Sequence, residues 1–311
     1  MYYPVNAACL SDSMQNGEQT MEVTAYTINA FARTEEGGNP AGVVLHADQL
    51  SEQQMKQIAK AVGFSETAFL MQSASADCRV RFFTPADEVD LCGHATIGTF
   101  SLLRQKGMLK RGCYRAETRA GIIDIEISED AEVMMSQLKP QFHECVSREA
   151  IADSLCISAD EMDSRMEPQI VSTGLRDIMV PIRSRKLLDE IHPDFDKVAA
   201  LSRQYQVIGY HLFTQETLYH DTAYCRNLAP LYGIPEEAAT GTSSGALACY
   251  LVHCGQVHAE EAEHLVFEQG YCMGRPSEIQ VSLLVQDNRI EAVHAGGTAG
   301  NINIRRILME D

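Results

Sequence analysis

The chain has 311 residues, 45% of them hydrophobic and 22% charged, the balance of an ordinary globular protein. At roughly 150 residues per domain, that length suggests two domains, each able to bury its own core. With 43 Asp and Glu against 25 Lys and Arg, the net charge of −18 excludes electrostatic capture of nucleic acid or an anionic membrane, which needs clustered cations.

No two of the ten cysteines stand at CxxC spacing, which argues against a zinc ribbon or a thioredoxin-like motif. The first twenty residues hold Asn, Ser, Asp and Gln where a secretory signal would be apolar, and no run of 18 apolar residues occurs. Free thiols without an export signal lead us to expect a cytoplasmic protein.

Residues 1–20 are polar and aperiodic, and they read as a tail, disordered or loosely packed. Met21 opens the patterned sequence. Glu22–Ile28 alternates like a half-buried strand, and Gly42–His46 is a short apolar run. Ser51–Val62 predicts a helix: Ser51 can cap it with Gln54 three residues on, and Met55, Ile58, Ala59 and Val62 share one face. Strands are expected at Thr67–Gln72, Arg79–Thr84, Cys113–Thr118, Ile122–Ile127 and Glu132–Gln137, with a second helix from about His94 to Lys106. The polar stretch around 140–146 reads as a junction. Beyond it, strands are expected at Gln169–Ser172, Asp177–Ile182, Val207–Phe213, Tyr224–Leu228, His264–Glu268, Glu278–Val285 and Arg289–His294. Helices are expected at Phe195–Gln204 and about Thr242–Cys254. The domains divide as 21–139, to which a C-terminal segment of about 295–311 is free to return, and 140–294.

Two helical stretches stand apart. Leu91–Leu103 and Ala238–Ala259 contain no Asp, Glu, Lys or Arg. A helix without a polar face is buried on all sides, and in a chain rich in short strands its simplest host is a sheet wrapped around it. Similar text precedes both. Pro85 and Cys92-Gly93-His94 in the first half correspond to Pro230 and Thr240-Gly241-Thr242 in the second, a weak sign of internal duplication.

The two helix starts carry the chemistry. Free amides and a partial positive charge at a helix N-terminus attract a carboxylate, and Gly93 and Gly241 let backbone approach closely. Facing each other across a cleft, two such ends would grip a small acid. Glu66, between Phe64 and Phe69, is a candidate general base whose pKa partial burial would raise. His94 begins the first helix as a catalytic or a packing histidine. Cys92 is either a buried hydrophobe or a thiol of lowered pKa able to abstract protons. Glu236 and Glu237 precede the second helix as candidate acids or a solvated turn. No GxGxxG, Walker A loop or HExxH occurs, and Ser243 and Ser244 lack a nucleophile elbow. Neither a nucleotide cofactor nor a metal is expected.

The order Gly37-Gly38-Asn39-Pro40-Ala41, Ser65-Glu66-Thr67-Ala68-Phe69, Phe83-Thr84-Pro85 and Cys92-Gly93-His94-Ala95-Thr96 resembles the phenazine-biosynthesis PhzF-like family. Ser172-Thr173-Gly174-Leu175, Ala239-Thr240-Gly241-Thr242, Gly270, Gly274-Arg275-Pro276-Ser277 and Gly296-Gly297 continue the match, so that it covers about residues 22–300. The resemblance implies an α+β, diaminopimelate-epimerase-like fold. Its two similar domains would each wrap a curved, mostly antiparallel sheet around a central helix, with the site between them. It also implies a cofactor-independent isomerase of a small carboxylic acid, acting by general acid/base proton transfer, and suggests a homodimer. Glu66 matches the catalytic glutamate and His94 the active-site histidine. Cys92, Gly93, Thr240, Gly241 and Thr242 are expected to bind substrate, with Glu237 as a further acid/base. Glu237 and Thr242 stand where phenazine-pathway members carry Asp and Ser, and Ala238 where Pro is usual. In related two-thiol epimerases the first cysteine matches Cys92, but the second falls at Thr240. A one-thiol epimerase using Cys92 and a non-catalytic binding protein on the same scaffold are the alternatives.

Overall fold

A computed structural model of the chain describes residues 10–15 and 18–309. The chain divides into two compact units. One takes the chain up to Ala30, Pro40–Val133 and Thr298 onward; the other takes Phe31–Asn39 and Met134–Gly297.

In the first unit the strand Glu18–Ala30 pairs antiparallel with Leu10–Gln15 on one side and with Ala299–Met309 on the other. Residues 10–15 and 18–20 are therefore strand, not the tail that their polarity suggested; the rest of that stretch lies outside the described residues. A backbone ladder supplies its own hydrogen bonds and needs no apolar period. The C-terminal strand carries the pattern Ile304, Arg305, Arg306, Ile307, Leu308, in which Ile304 and Leu308 are exposed, so no two-residue alternation announces it.

Helix α1 (Glu52–Val62) starts on the expected capping box. The Gln54 amide donates to Ser51 Oγ at 3.3 Å, and the Ser51 amide donates to Gln54 Oε1 at 2.9 Å. Met55, Ile58, Ala59 and Val62 are its buried residues, and Gly63 ends it with φ of 77°. Helix α2 (Gly93–Gln105) is buried continuously from His94 to Leu103 and packs on the strands Glu18–Ala30, Thr67–Met71 and Ala299–Met309. Ile97, Phe100, Leu102 and Leu103 each remove a large apolar side chain from water, worth about 1.5–3 kcal/mol apiece. A Cβ on Gly98 would sit 2.8 Å from Ile28 Cγ2, so the helix lies against that strand only because residue 98 has no side chain.

The second unit holds α3 (Arg148–Leu155), α4 (Arg185–Glu190), α5 (Phe195–Tyr205) and α6 (Gly241–His253). The first two, only eight and six residues long, have too few turns for a readable period. The expected junction around 140–146 is in fact the strand Gln141–Cys145, antiparallel to Gln169–Ser172. Its residues are half-buried or exposed, so its polar composition reports exposure rather than irregular backbone. Helix α6 is buried at Gly241 and from Ser243 to Leu251, and packs on Gln169–Ser172, Arg176–Pro181, Ser277–Gln286 and Arg289–Gly297.

Taken separately, the two units trace one topology. In the first, Asn39–Val44 runs parallel to Thr67–Met71, which is antiparallel to Cys78–Phe83, which is antiparallel to Glu88–Val89. Then comes α2, and Gly112–Thr118 returns parallel to Cys78–Phe83 and antiparallel to Gly121–Ile127. In the second, Arg176–Pro181 runs parallel to Gly209–Thr214, followed by antiparallel Ala223–Ala229 and antiparallel Ile234–Glu237. Helix α6 follows, and Leu265–Gln269 returns parallel to Ala223–Ala229 and antiparallel to Ser277–Gln286. The order and sense match at every step, which a chance likeness between two short sequence runs does not produce. Among the described residues no helix is long and apolar enough to cross a membrane.

Candidate active site

In the first unit, α1 and the turn after Gly63 deliver Glu66 to the mouth of the strand Thr67–Met71. The Gly42 amide donates to the Glu66 carbonyl at 3.0 Å. A Cβ on Gly42 would lie 2.5 Å from Thr67 Oγ1, so glycine is what lets these two strands meet. The Glu66 side chain, 13% exposed, points its Oε2 at His94 Nε2, 3.3 Å away. This is an ion-pair distance without hydrogen-bond alignment, and among the described residues Oε2 accepts no aligned hydrogen bond. His94, the second residue of α2, lies beside the N-cap residue Cys92, whose Sγ stands 3.5 Å from Nδ1 and 3.8 Å from Nε2. The Cys92 side chain makes no capping hydrogen bond and no acid occupies the first turn, so the helix start keeps its positive end at Gly93.

The electrostatics of this triad correct two expectations. Burial pushes the Glu66 carboxyl up, but His94, with Ser65 and Cys92, outweighs it and holds Glu66 below the ordinary carboxylate range instead of above it. Burial also pushes the Cys92 thiol up, beyond what His94 and the helix start draw down, so it is not the activated thiol expected at a helix N-terminus. For His94, burial disfavours the cation, but Cys92 and Glu66 more than offset this and hold it well above the ordinary imidazole range. At neutral pH Glu66 is therefore a carboxylate beside the His94 imidazolium, and the Cys92 thiol titrates together with His94.

The second unit builds its helix start differently. The segment Glu237–Thr242 is clamped by its carbonyls. Gln269 Nε2 donates to the Glu237 carbonyl at 2.8 Å, Asn39 Nδ2 to Ala239 at 3.0 Å, Gln137 Nε2 to Gly241 at 2.9 Å and Thr173 Oγ1 to Thr242 at 3.3 Å. Thr240 Oγ1 donates to the Glu237 carboxylate at 2.9 Å, and the Thr240 amide donates to Gln269 Oε1. With the carbonyls turned into protein and no side-chain cap or acid in the first turn, α6 also starts with free amides beyond Thr240. A Cβ on Gly241 would lie 3.2 Å from Phe31 Cζ.

Several motif glycines gain a physical reason here. Gly37 passes under the Pro276 carbonyl, where a Cβ would sit 2.0 Å from the oxygen, so the Gly37-Gly38-Asn39 and Gly274-Arg275-Pro276-Ser277 runs meet. Gly270, at φ of 82°, lies against the Ala238 carbonyl.

Glu236 is not a solvated acid. Arg226 grips it with two hydrogen bonds, Nε to Oε1 at 2.9 Å and Nη2 to Oε2 at 2.8 Å. Sequence reasoning missed the clamp residues Asn39, Gln137, Thr173 and Gln269, and a buried polar chain under α6. In that chain Asn227 Nδ2 donates to Ser243 Oγ and reaches His211 Nδ1, and Ser243 Oγ donates to Asp177 Oδ2 at 2.6 Å. Burial pushes Asp177 up to about 6, helped by Glu237, and pushes His211 down to about 3. Their signal was available: Asp177, His211 and Asn227 are polar positions inside largely apolar strand runs. Of the predicted residues, the structure brings Glu66, Cys92, Gly93 and His94 together in the first unit, and Glu237, Thr240, Gly241 and Thr242 together in the second. The donor atoms of Glu66, Cys92 and His94 all lie within 4.8 Å of one another, close enough to share a metal ion.

The relatives that this α+β chain resembles are named isomerases, and that sets its class as isomerase. The chain belongs to the phenazine biosynthesis-like (PhzC-PhzF) family, whose model matches residues 28–303. It is 34% identical over 285 residues to the uncharacterized isomerase YfhB of Bacillus subtilis, covering 89% of this chain and 95% of that one. It is 30% identical over 266 residues to the trans-2,3-dihydro-3-hydroxyanthranilate isomerase of Pseudomonas chlororaphis, covering 80% and 86%. The crystal structure of the PhzF-family phenazine biosynthesis protein of Bacillus anthracis superposes with a TM-score of 0.84 at 30% identity, covering 93% of this chain and 99% of that one. The fold is thus the diaminopimelate-epimerase-like one expected.

Proposed function

We propose that this isomerase moves a proton on a small carboxylic acid by general acid/base catalysis, without a cofactor. The observation that carries this reading is the buried Glu66–His94 pair at an uncapped helix start. Glu66, ionised at neutral pH, removes a proton from a carbon activated by conjugation or a neighbouring carboxyl. Its weak basicity in the folded protein is offset by the imidazolium, which stabilises the developing anion and holds a proton ready for return. Within the first unit, the amide at Gly93 serves as a carboxylate donor beside this pair.

The ring acid in the name of the Pseudomonas relative supports a carboxylate substrate class. Glu237 and Thr242, each larger than the usual residue, favour a pocket of different shape. The thiol-dependent alternative has less support, because burial keeps Cys92 protonated.

The test is solvent exchange. Candidate ring and chain acids are incubated with the protein in D₂O and followed by NMR. Deuterium uptake that disappears in Glu66→Gln is expected; exchange at the wild-type rate in that variant, or in none of the acids that bind, defeats the reading. Exchange lost in Cys92→Ala but kept in Glu66→Gln transfers the role to the thiol.

A further inference from the structure

We propose that Glu66, Cys92 and His94 form a three-ligand site for a zinc-class divalent cation, and that the ion switches the isomerase off by occupying the atoms that carry the proton. Among the described residues this is the one group of three His, Cys, Asp or Glu side chains whose donor atoms converge. Zinc binds sulfur at about 2.3 Å and nitrogen or oxygen at about 2.0–2.2 Å, so a tetrahedral ion sets its ligand atoms roughly 3.3–3.6 Å apart. Here Nε2 of His94 stands 3.3 Å from Glu66 Oε2 and 3.8 Å from Cys92 Sγ. On these two edges the atoms stand near the spacing of a tetrahedral face, one donor atom from each of the three residues lies within 4.8 Å of the others, and the fourth position is left to water or substrate.

The donor set selects the metal. A thiolate with an imidazole favours zinc or cadmium over magnesium or calcium, which take hard oxygen shells. The groups are already buried, Cys92 being 7% exposed as a residue and the His94 and Glu66 side chains 7% and 13%, so they hold little hydration to strip. On loading, the S–H bond of Cys92 breaks as the Zn–S bond forms, and the His94 Nε2 proton leaves as that lone pair is donated to the ion. Both protons pass to solvent. One dication with a thiolate and a carboxylate is net neutral, which suits a buried pocket. The positive end of α2 supports the thiolate.

The inhibitory half rests on the acid/base reading given above; the binding half does not. Metal-stripped protein is titrated with Zn²⁺ against a chromophoric chelator, and X-ray absorption at the zinc edge is recorded on the loaded wild type. One tight equivalent is expected, with one sulfur among nitrogen and oxygen ligands. Cys92→Ser and Glu66→Gln, checked for folding by circular dichroism, should each weaken binding beyond the roughly 10–100-fold that loss of an outer-shell partner costs. No tight equivalent, a shell without sulfur or with several sulfurs, or affinity unchanged in both variants overturns the site. Zinc that binds as expected while deuterium exchange continues overturns the inhibition alone. Failure of binding with Glu66-dependent exchange intact leaves the acid/base reading standing.

Discussion

His94 Nε2 stands 3.3 Å from Glu66 Oε2, and the pair, with Cys92 beside His94, inverts what burial would do to each group alone. Buried separately, the glutamate would tend to be neutral and the histidine uncharged; together each keeps its charge. Exchange activity should therefore rise as pH climbs through the lowered Glu66 titration. It should hold level across neutrality and fall only as His94 loses its proton above the ordinary imidazole range. Glu66→Gln should cut the plateau by roughly 10²–10⁴-fold. A pH–rate profile of deuterium uptake checks this, and an alkaline limb at the ordinary imidazole value would contradict it. The same pair sets a stability window. The Glu66 contribution is lost as pH falls through its folded pKa, and the His94 contribution is lost as pH rises through its own.

Asp177 predicts a further pH effect on stability, opposite in sign to that of Glu66. Its folded value of about 6 lies above its ordinary value of 3.8, so between these the folded state binds more protons than the unfolded one. Stability then falls as pH rises through that window. Asp177→Asn should remove the loss, gaining on the wild type by up to roughly 3 kcal/mol between pH about 4 and about 7, at about 1.36 kcal/mol per unit. Urea unfolding at the two pH values measures it, and a wild-type-to-variant gap that stays constant refutes it.

Gly98→Ala tests the contact between α2 and its sheet. The added methyl must displace Ile28 from a packed core, at a cost of about 1–3 kcal/mol by analogy with other overpacked sites. Gly63→Ala, at a left-handed cap where a Cβ meets nothing within 4 Å, isolates the backbone term for comparison. Chemical denaturation reads both; an unaffected midpoint in Gly98→Ala means that the helix can shift without loss.

The Arg226–Glu236 pair should behave as a buried ion pair. The Arg226 side chain is 8% exposed and also donates from Nη1 to the carbonyls of Leu188 and Ile191. Arg226→Met strands a buried carboxylate and two carbonyls, and should cost about 3–5 kcal/mol. Adding Glu236→Leu should recover part of that and no more, because the carbonyls stay without their donor. Equal stability of single and double variants, by calorimetry, would show that Glu236 reaches water once Arg226 is gone.

Much of this was legible in the sequence where the signal is local. The capping box at Ser51 and Gln54, the buried face of α1 and the charge-free runs of α2 and α6 depend on neighbours three or four residues apart, and all appear in the structure. Glu66, Cys92 and His94 were named from sequence, but the sign of two of their pKa shifts was not. The sign for Glu66 depends on its carboxylate meeting an imidazole 28 positions away, and the sign for Cys92 on how deeply the fold buries it. The clamp on Glu237–Thr242 was illegible for the same reason: Asn39 reaches Ala239 across 200 positions. The strands Gln141–Cys145 and Ala299–Met309 were missed because partner backbones, not side-chain alternation, hold them.

The strand Ala299–Met309 lines the longest pairing of Glu18–Ala30 and one wall around α2. A ribosome making the chain at about 5–20 residues per second emits the two partners of that ladder tens of seconds or less apart, with the whole of Met134–Gly297 between them. The unit that starts first therefore finishes last. During synthesis Glu18–Ala30 keeps an unpaired edge, and helix α2 stays unroofed, until the second unit has already emerged.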